Sequence, residues 1–136
     1  MAVGYSGTPL IKKLGIKEGA QVMLVNPPAN YFKLIGQLPK GALIVTGKKV
    51  GIDFIHLFVK SAEELELYLP ALRERLAANG IIWVSWYKQA AKIPTDITED
   101  TIRKSALSLG LVDIKVAAID DIWSGLKLVI RKENRK

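Results

Sequence analysis

Residues 21–47, QVMLVNPPANYFKLIGQLPKGALIVTG, decide how this chain is read. AQVMLVN is an unbroken apolar run, the pattern of a strand buried on both faces. Asn26-Pro27-Pro28 then turns the chain. ANYFKLIGQL follows as a short helix whose apolar side is Phe32, Leu34 and Ile35. A turn at Lys40-Gly41 leads into ALIVTG, a second strand over 42–47. Strand, turn, helix, strand is how a nucleotide-binding α/β domain begins, except that two prolines stand where a glycine-rich turn is usual.

The same alternation continues on both sides of this stretch. Upstream, GYSGTP opens the chain; Thr8 is placed to cap a short helix over 10–14, with Pro9 at its first position and Gly15 as its stop. Downstream, IDFIHLFV is a third strand. Lys48 to Gly51 separate it from ALIVTG, so ALIVTG is either short or antiparallel to its successor, because so brief a link cannot run back along a full strand. SAEELELYLPALRERLAANG predicts a helix with a capping box at Ser61 and Glu64. Its Leu65, Leu69, Leu72 and Leu76 recur at helical spacing, Gly80 is its stop, and Pro70 should kink or divide it. IIWVSWY is a fourth strand, and KQAAKIPTD a loop. Thr98 caps the next helix, Ile97 staples onto Ile102, and Gly110 ends it. LVDIKVAAI and GLKLVIRK form an antiparallel hairpin through DDIWS. The chain therefore reads as α/β, a compact three-layer Rossmann-like domain with a mainly parallel sheet and an antiparallel C-terminal hairpin. One domain covers 1–136, with a basic tail at 131–136.

Composition narrows the chemistry. Of 136 residues, 49% are hydrophobic and 24% charged, ordinary for a chain with a packed core. There is no cysteine, which removes disulfides, thiolate metal sites and cysteine nucleophiles. A single histidine, His56, excludes a metal site needing two imidazoles. No apolar run nears the roughly 20 residues of a membrane span, and no secretory pattern opens the chain, so a cytoplasmic protein is expected. The formal net charge is +7. The lysines are scattered, however, and only the tail is dense, so nucleic-acid binding is not the favoured reading.

Two resemblances add to this. The second half is similar to the corresponding half of S-adenosylmethionine-dependent methyltransferases. There too a strand like DFIHLF leads to a helix, a strand like IIWVSW, another helix and a final hairpin. More closely, GYSGTPLIKKLGIKEG, DFIHLFVKS, LPALRERLAANGIIWVSWYKQ, PTDITED and GLVDIKVAAIDDIWSGLKLVIRK resemble the segments shared by a small family of uncharacterised bacterial proteins. That resemblance spans nearly the whole chain. It implies no particular activity, and Tyr87 stands where its pattern has proline.

The motifs exclude more than they assign. Pro27 and Pro28 offer no N–H donors to a phosphate or a cofactor carboxylate. Thr46, Gly47 and Lys48 stand where an acidic ribose ligand is usual. A fold kept with its cofactor lost is the expectation, and no cofactor or metal is predicted. GALIVTGKK misses the P-loop spacing and lies in a strand. Ser85 to Lys88 has Ser-x-x-Lys spacing, but residues three apart on a strand point to opposite faces. His56 reads as a hydrogen-bonded core residue with no Ser or Cys partner evident. Asp53 reads as a backbone cap, and Asp120-Asp121 as a solvated turn.

What remains is a place. Ligands of open α/β sheets bind beyond the carboxyl ends of the strands. Asn26, Ser85, Trp86, Tyr87, Lys88, Thr95 and Asp96 gather there in sequence terms. The expected function is a non-catalytic binding or interaction module, probed by a small anionic ligand or a protein partner. The alternative is an unfamiliar enzyme for a small anionic metabolite.

Overall fold

The structure, a computed structural model, describes residues 9–135. Its elements are α1 (Leu10–Leu14), β1 (Gln21–Val25), α2 (Tyr31–Ile35), β2 (Leu43–Ile44), β3 (Ile52–Phe58), α3 (Ala62–Arg73), β4 (Leu76–Tyr87), α4 (Glu99–Ser108), β5 (Leu111–Ala118) and β6 (Trp123–Ile130). Among the described residues the strands form one sheet in the order β2-β1-β3-β4-β6-β5. β2, β1, β3 and β4 are parallel, and β6 lies antiparallel between β4 and β5. The expected α/β architecture with a terminal antiparallel hairpin is therefore present.

Each face of the sheet has its own core. Met23, Ile55, Leu57, Ile82, Val84 and Trp86 pack against Leu65, Leu69 and Leu72 of α3 and Ile102 and Ala106 of α4. On the other face Val22, Phe54, Phe58 and Trp83 meet Leu14 of α1, Tyr31 and Ile35 of α2, and Ile119 and Trp123. The alternation along β3 and β4 sorts these side chains, because successive residues of a strand point to opposite faces. Trp83 is fully buried, and its Nε1–H donates to the Leu14 carbonyl at 2.8 Å, pinning the end of α1 to the sheet.

Several local expectations change. ALIVTG contributes a two-residue strand that pairs with the start of β1. Because β2 is so short, its link to β3 has little length to retrace. α2 buries Tyr31 and Ile35, while Phe32 is 52% exposed. Pro9 is the N-cap of α1 rather than its first residue, and the proposed Thr8 cap lies outside the described residues. α3 runs through Pro70 and ends at Arg73. β4 begins at Leu76, so Gly80 lies within the strand rather than ending the helix. A Cβ there would sit 2.9 Å from the Ile52 carbonyl oxygen and 2.5 Å from Leu76 Cδ1, which is the close approach that keeps the position glycine. Both long helices are capped: Ser61 Oγ accepts from the Glu64 N–H, and Thr98 Oγ1 from the Thr101 N–H. The carboxylate of Glu64 reaches back to the Lys60 N–H rather than that of Ser61. In the tail, Arg131 pairs with Glu133, and Arg135 donates to the Ile130 carbonyl.

Candidate functional site

The carboxyl ends of the parallel strands come together at Asn26, Lys60 and Lys88, one residue or two beyond β1, β3 and β4. Asn26 is left-handed, with φ 56°, a conformation asparagine tolerates better than most residues. Its Nδ2–H donates to the Phe58 carbonyl at 3.5 Å, fastening the first turn to the end of β3. Pro27, Ala29, Asn30, Thr46 and Lys60 are exposed around this end of the sheet.

The loop after β4 folds back across the ends of β3 and α3. Thr95 Oγ1 donates to the Lys60 carbonyl at 2.8 Å and accepts from the Ile97 N–H. Asp96 Oδ1 accepts from the Ala62 N–H at 2.7 Å, adding a carboxylate to the positive end of α3. These two residues thus build the rim. The loop encloses a concavity of about 560 Å³ whose walls include Trp86, Tyr87, Lys88, Ile93, Thr95 and Ser124. Tyr87 stacks on Trp123, ring centres 4.5 Å apart. Trp86, Tyr87, Lys88 and Thr95 of the sequence-derived set are brought together here. Asn26 sits at the neighbouring β1 turn, Asp96 is committed to α3, and Ser85 faces inward.

Ser85 belongs to a buried polar chain that the sequence did not reveal. Its Oγ lies 2.7 Å from His56 Nε2, and His56 Nδ1 lies 2.8 Å from Tyr31 Oη. Ser85 and His56 have no exposure, and Tyr31 is buried. Burial lowers the His56 pKa to about 3 and raises that of Tyr31. A neutral imidazole donates through one nitrogen and accepts through the other. Either Tyr31 O–H donates to Nδ1 and Nε2–H to Ser85, or Ser85 O–H donates to Nε2 and Nδ1–H to Tyr31. Phe58 stacks on the imidazole at 4.3 Å. The reading of His56 as a satisfied core residue agrees with this geometry, but it does have a serine partner. The parallel register sets Phe58 beside Ser85 and His56 beside Trp83, which brings His56 and Ser85 onto one face. Asp53 is a backbone cap, accepting from the Gln21 N–H, and Asp120 holds its turn by accepting from the Ile122 and Trp123 N–H groups.

No protein-family model matches the chain, and no curated protein matches it. Solved structures do. A SAM-dependent methyltransferase from Aquifex aeolicus aligns over 89% of this chain and 88% of its own, with TM-score 0.63 and 16% identity. A TehB-like SAM-dependent methyltransferase from Corynebacterium glutamicum aligns over 90% and 86%, with TM-score 0.57 and 10% identity. Aeropyrum pernix fibrillarin, solved with natively bound S-adenosyl-L-methionine, aligns over 89% and 72%, with TM-score 0.55 and 13% identity. At these identities the likeness is one of fold, a methyltransferase-like Rossmann arrangement. It overturns the expectation of a non-catalytic module, and with it the expectation that the chain is not an enzyme. The alternative of an enzyme for a small anionic metabolite is likewise unsupported. The physical reason for the error is that Pro27-Pro28 alters one turn, whereas the sheet order and the open strand ends belong to the whole chain.

Proposed function

We propose that this chain is an S-adenosylmethionine-dependent methyltransferase, with the cofactor at the carboxyl ends of β1, β2 and β3 and the acceptor in the concavity beyond β4. The observation that carries this reading is the sheet itself. Parallel β2-β1-β3-β4 with antiparallel β6 inserted before β5 aligns with the Aquifex aeolicus methyltransferase over 88% of its length. Membership of the bacterial family sharing the PTDITED-like and WSGLKLV-like segments, and a cytoplasmic setting, are part of the same reading. No helix among the described residues is long and apolar enough to cross a membrane.

The proline turn changes how a cofactor is held. A glycine turn offers backbone N–H groups, and Pro27 and Pro28 have none. The exposed groups at these strand ends are instead Asn26, Asn30, Thr46 and Lys60, with Asn26 also bonded to the Phe58 carbonyl. Lys60 suits a carboxylate, and the Asn30 and Thr46 side chains suit ribose hydroxyls. When bound, the cofactor supplies an activated methyl group. Trp86 and Tyr87, on opposite faces at the end of β4, give the concavity its apolar lining, and Lys88 and Thr95 give it a polar border.

Calorimetry with S-adenosylmethionine and S-adenosylhomocysteine tests the proposal. Both should bind, and Lys60→Ala should weaken binding about tenfold or more, the loss of one charge-assisted contact. Absence of heat and of any thermal stabilisation at millimolar cofactor would overturn it.

A further inference from the structure

On the sheet face that carries α1, Lys127 of β6 stands directly across from Lys115 of β5. Like charges facing each other on an antiparallel pair destabilise it. A third lysine, Lys17, follows two residues after the stop of α1. Lys127 Nζ reaches that stop, lying 3.5 Å from where a Cβ on Gly15 would be. Partial burial, then Lys115 and then Lys17, hold the Lys127 ammonium below the ordinary lysine range. Lys17 and Lys115 are exposed, and Lys127 is half-buried. None of the three joins an ion pair among the described residues, where the ion pairs belong to Arg103 and Arg131. Of the carboxylates in the cleft beside Lys17, Asp53 is taken up by the Gln21 N–H, and Glu18 makes no ion pair there.

Three segments distant in sequence thus converge on one uncompensated cationic patch, in a chain whose formal net charge is already +7. We propose that Lys17, Lys115 and Lys127 dock the phosphodiester backbone of a nucleic acid. Lysine meets phosphate as a point charge and asks for no fixed geometry, which suits a backbone read without regard to sequence. The groups come from β5, β6 and the turn after α1 rather than from one loop, as contact with a repeating polyanion requires. A single small phosphate would favour a closed cradle of N–H donors. A lipid surface would favour an apolar anchor on the same face as the charges. There Val112 and Val129 are half-buried, and the exposed Val116 pairs with Leu126 on the opposite face. The exposed Ile114, in the bulge beside Lys115, makes vesicles the competing arm of the test. The assignment does not depend on the methyl-transfer reading and stands if cofactor binding fails.

Fluorescence anisotropy with a labelled single-stranded oligoribonucleotide, run across a salt series on the full chain, is the test. Each lysine that contacts a phosphate contributes about 0.7 to the slope of log affinity against log salt. The variant combining Lys17→Gln, Lys115→Gln and Lys127→Gln should flatten the slope by about 2. Lys132→Gln in the tail should leave it unchanged. Removal of the facing pair should also raise the thermal midpoint at low salt in the absence of nucleic acid, since repulsion is relieved. Should the triple variant fold poorly, Lys17→Gln alone, in an exposed loop, should still lower the slope by about 0.7. A wild-type slope in the triple variant, or in Lys17→Gln alone, overturns the proposal. So does a slope that responds only to the tail, or binding to phosphatidylserine vesicles with none to the oligonucleotide.

Discussion

His56 shows how much one residue's surroundings decide. Its imidazole is stacked on Phe58 and held neutral between Tyr31 and Ser85. Its pKa of about 3 in the folded chain lies below the roughly 6.5 of an unfolded histidine, so the folded state binds a proton less readily. Stability is then complete above about pH 6.5 and falls by up to about 1.4 kcal/mol per pH unit as the pH drops toward 3. Urea midpoints measured from pH 7 to pH 4 should follow that slope, and His56→Gln should flatten it. The buried, bonded character of His56 was legible from IDFIHLFV, because a lone polar residue in an apolar strand needs a partner. The partners were not legible. They lie 25 and 29 residues away, and only strand register and the packing of α2 bring them together.

Elements were legible in type more than in extent. The strands and both long helices stand where hydrophobic periodicity placed them, with caps at Ser61 and Thr98. Ser61→Ala should therefore cost about 1 kcal/mol in urea denaturation. The boundary between α3 and β4 was not legible. Leu76 continues the helical spacing of Leu65, Leu69 and Leu72, yet it also fits a strand, and a glycine at 80 reads as a helix stop. Contact with Ile52 across the sheet settles the conflict in favour of the strand. Gly80→Ala should thus behave as an overpacked core substitution, costing about 1 to 3 kcal/mol, because the Ile52 carbonyl cannot step aside. A helix-terminating glycine in open space would respond differently. What was legible is that Trp86, Tyr87, Lys88 and Thr95 lie close together near a strand end, where they line one concavity. The roles of Ser85 and Asp96 were hidden, since both bond to groups remote in sequence.

At the scale of the whole molecule, the two faces of the sheet are covered unequally. α3 and α4, of 12 and 10 residues, cover one face, while α1 and α2, of five residues each, cover much of the other. Helices that short hold little structure without their tertiary contacts. The thin layer should therefore open as a unit of its own, at lower free energy than global unfolding. Trp83 lies beneath it and bonds to Leu14, so it reports the event directly. In a variant with Trp86→Phe and Trp123→Phe, mild denaturant should red-shift the Trp83 fluorescence before far-UV ellipticity falls, and amide exchange should run faster in α1 and α2 than in α3 and β4. Coincident transitions would show that the layers unfold together. A chain built this way keeps two clocks, a fast one for the face that carries Tyr31 and a slow one for the face that carries Leu69.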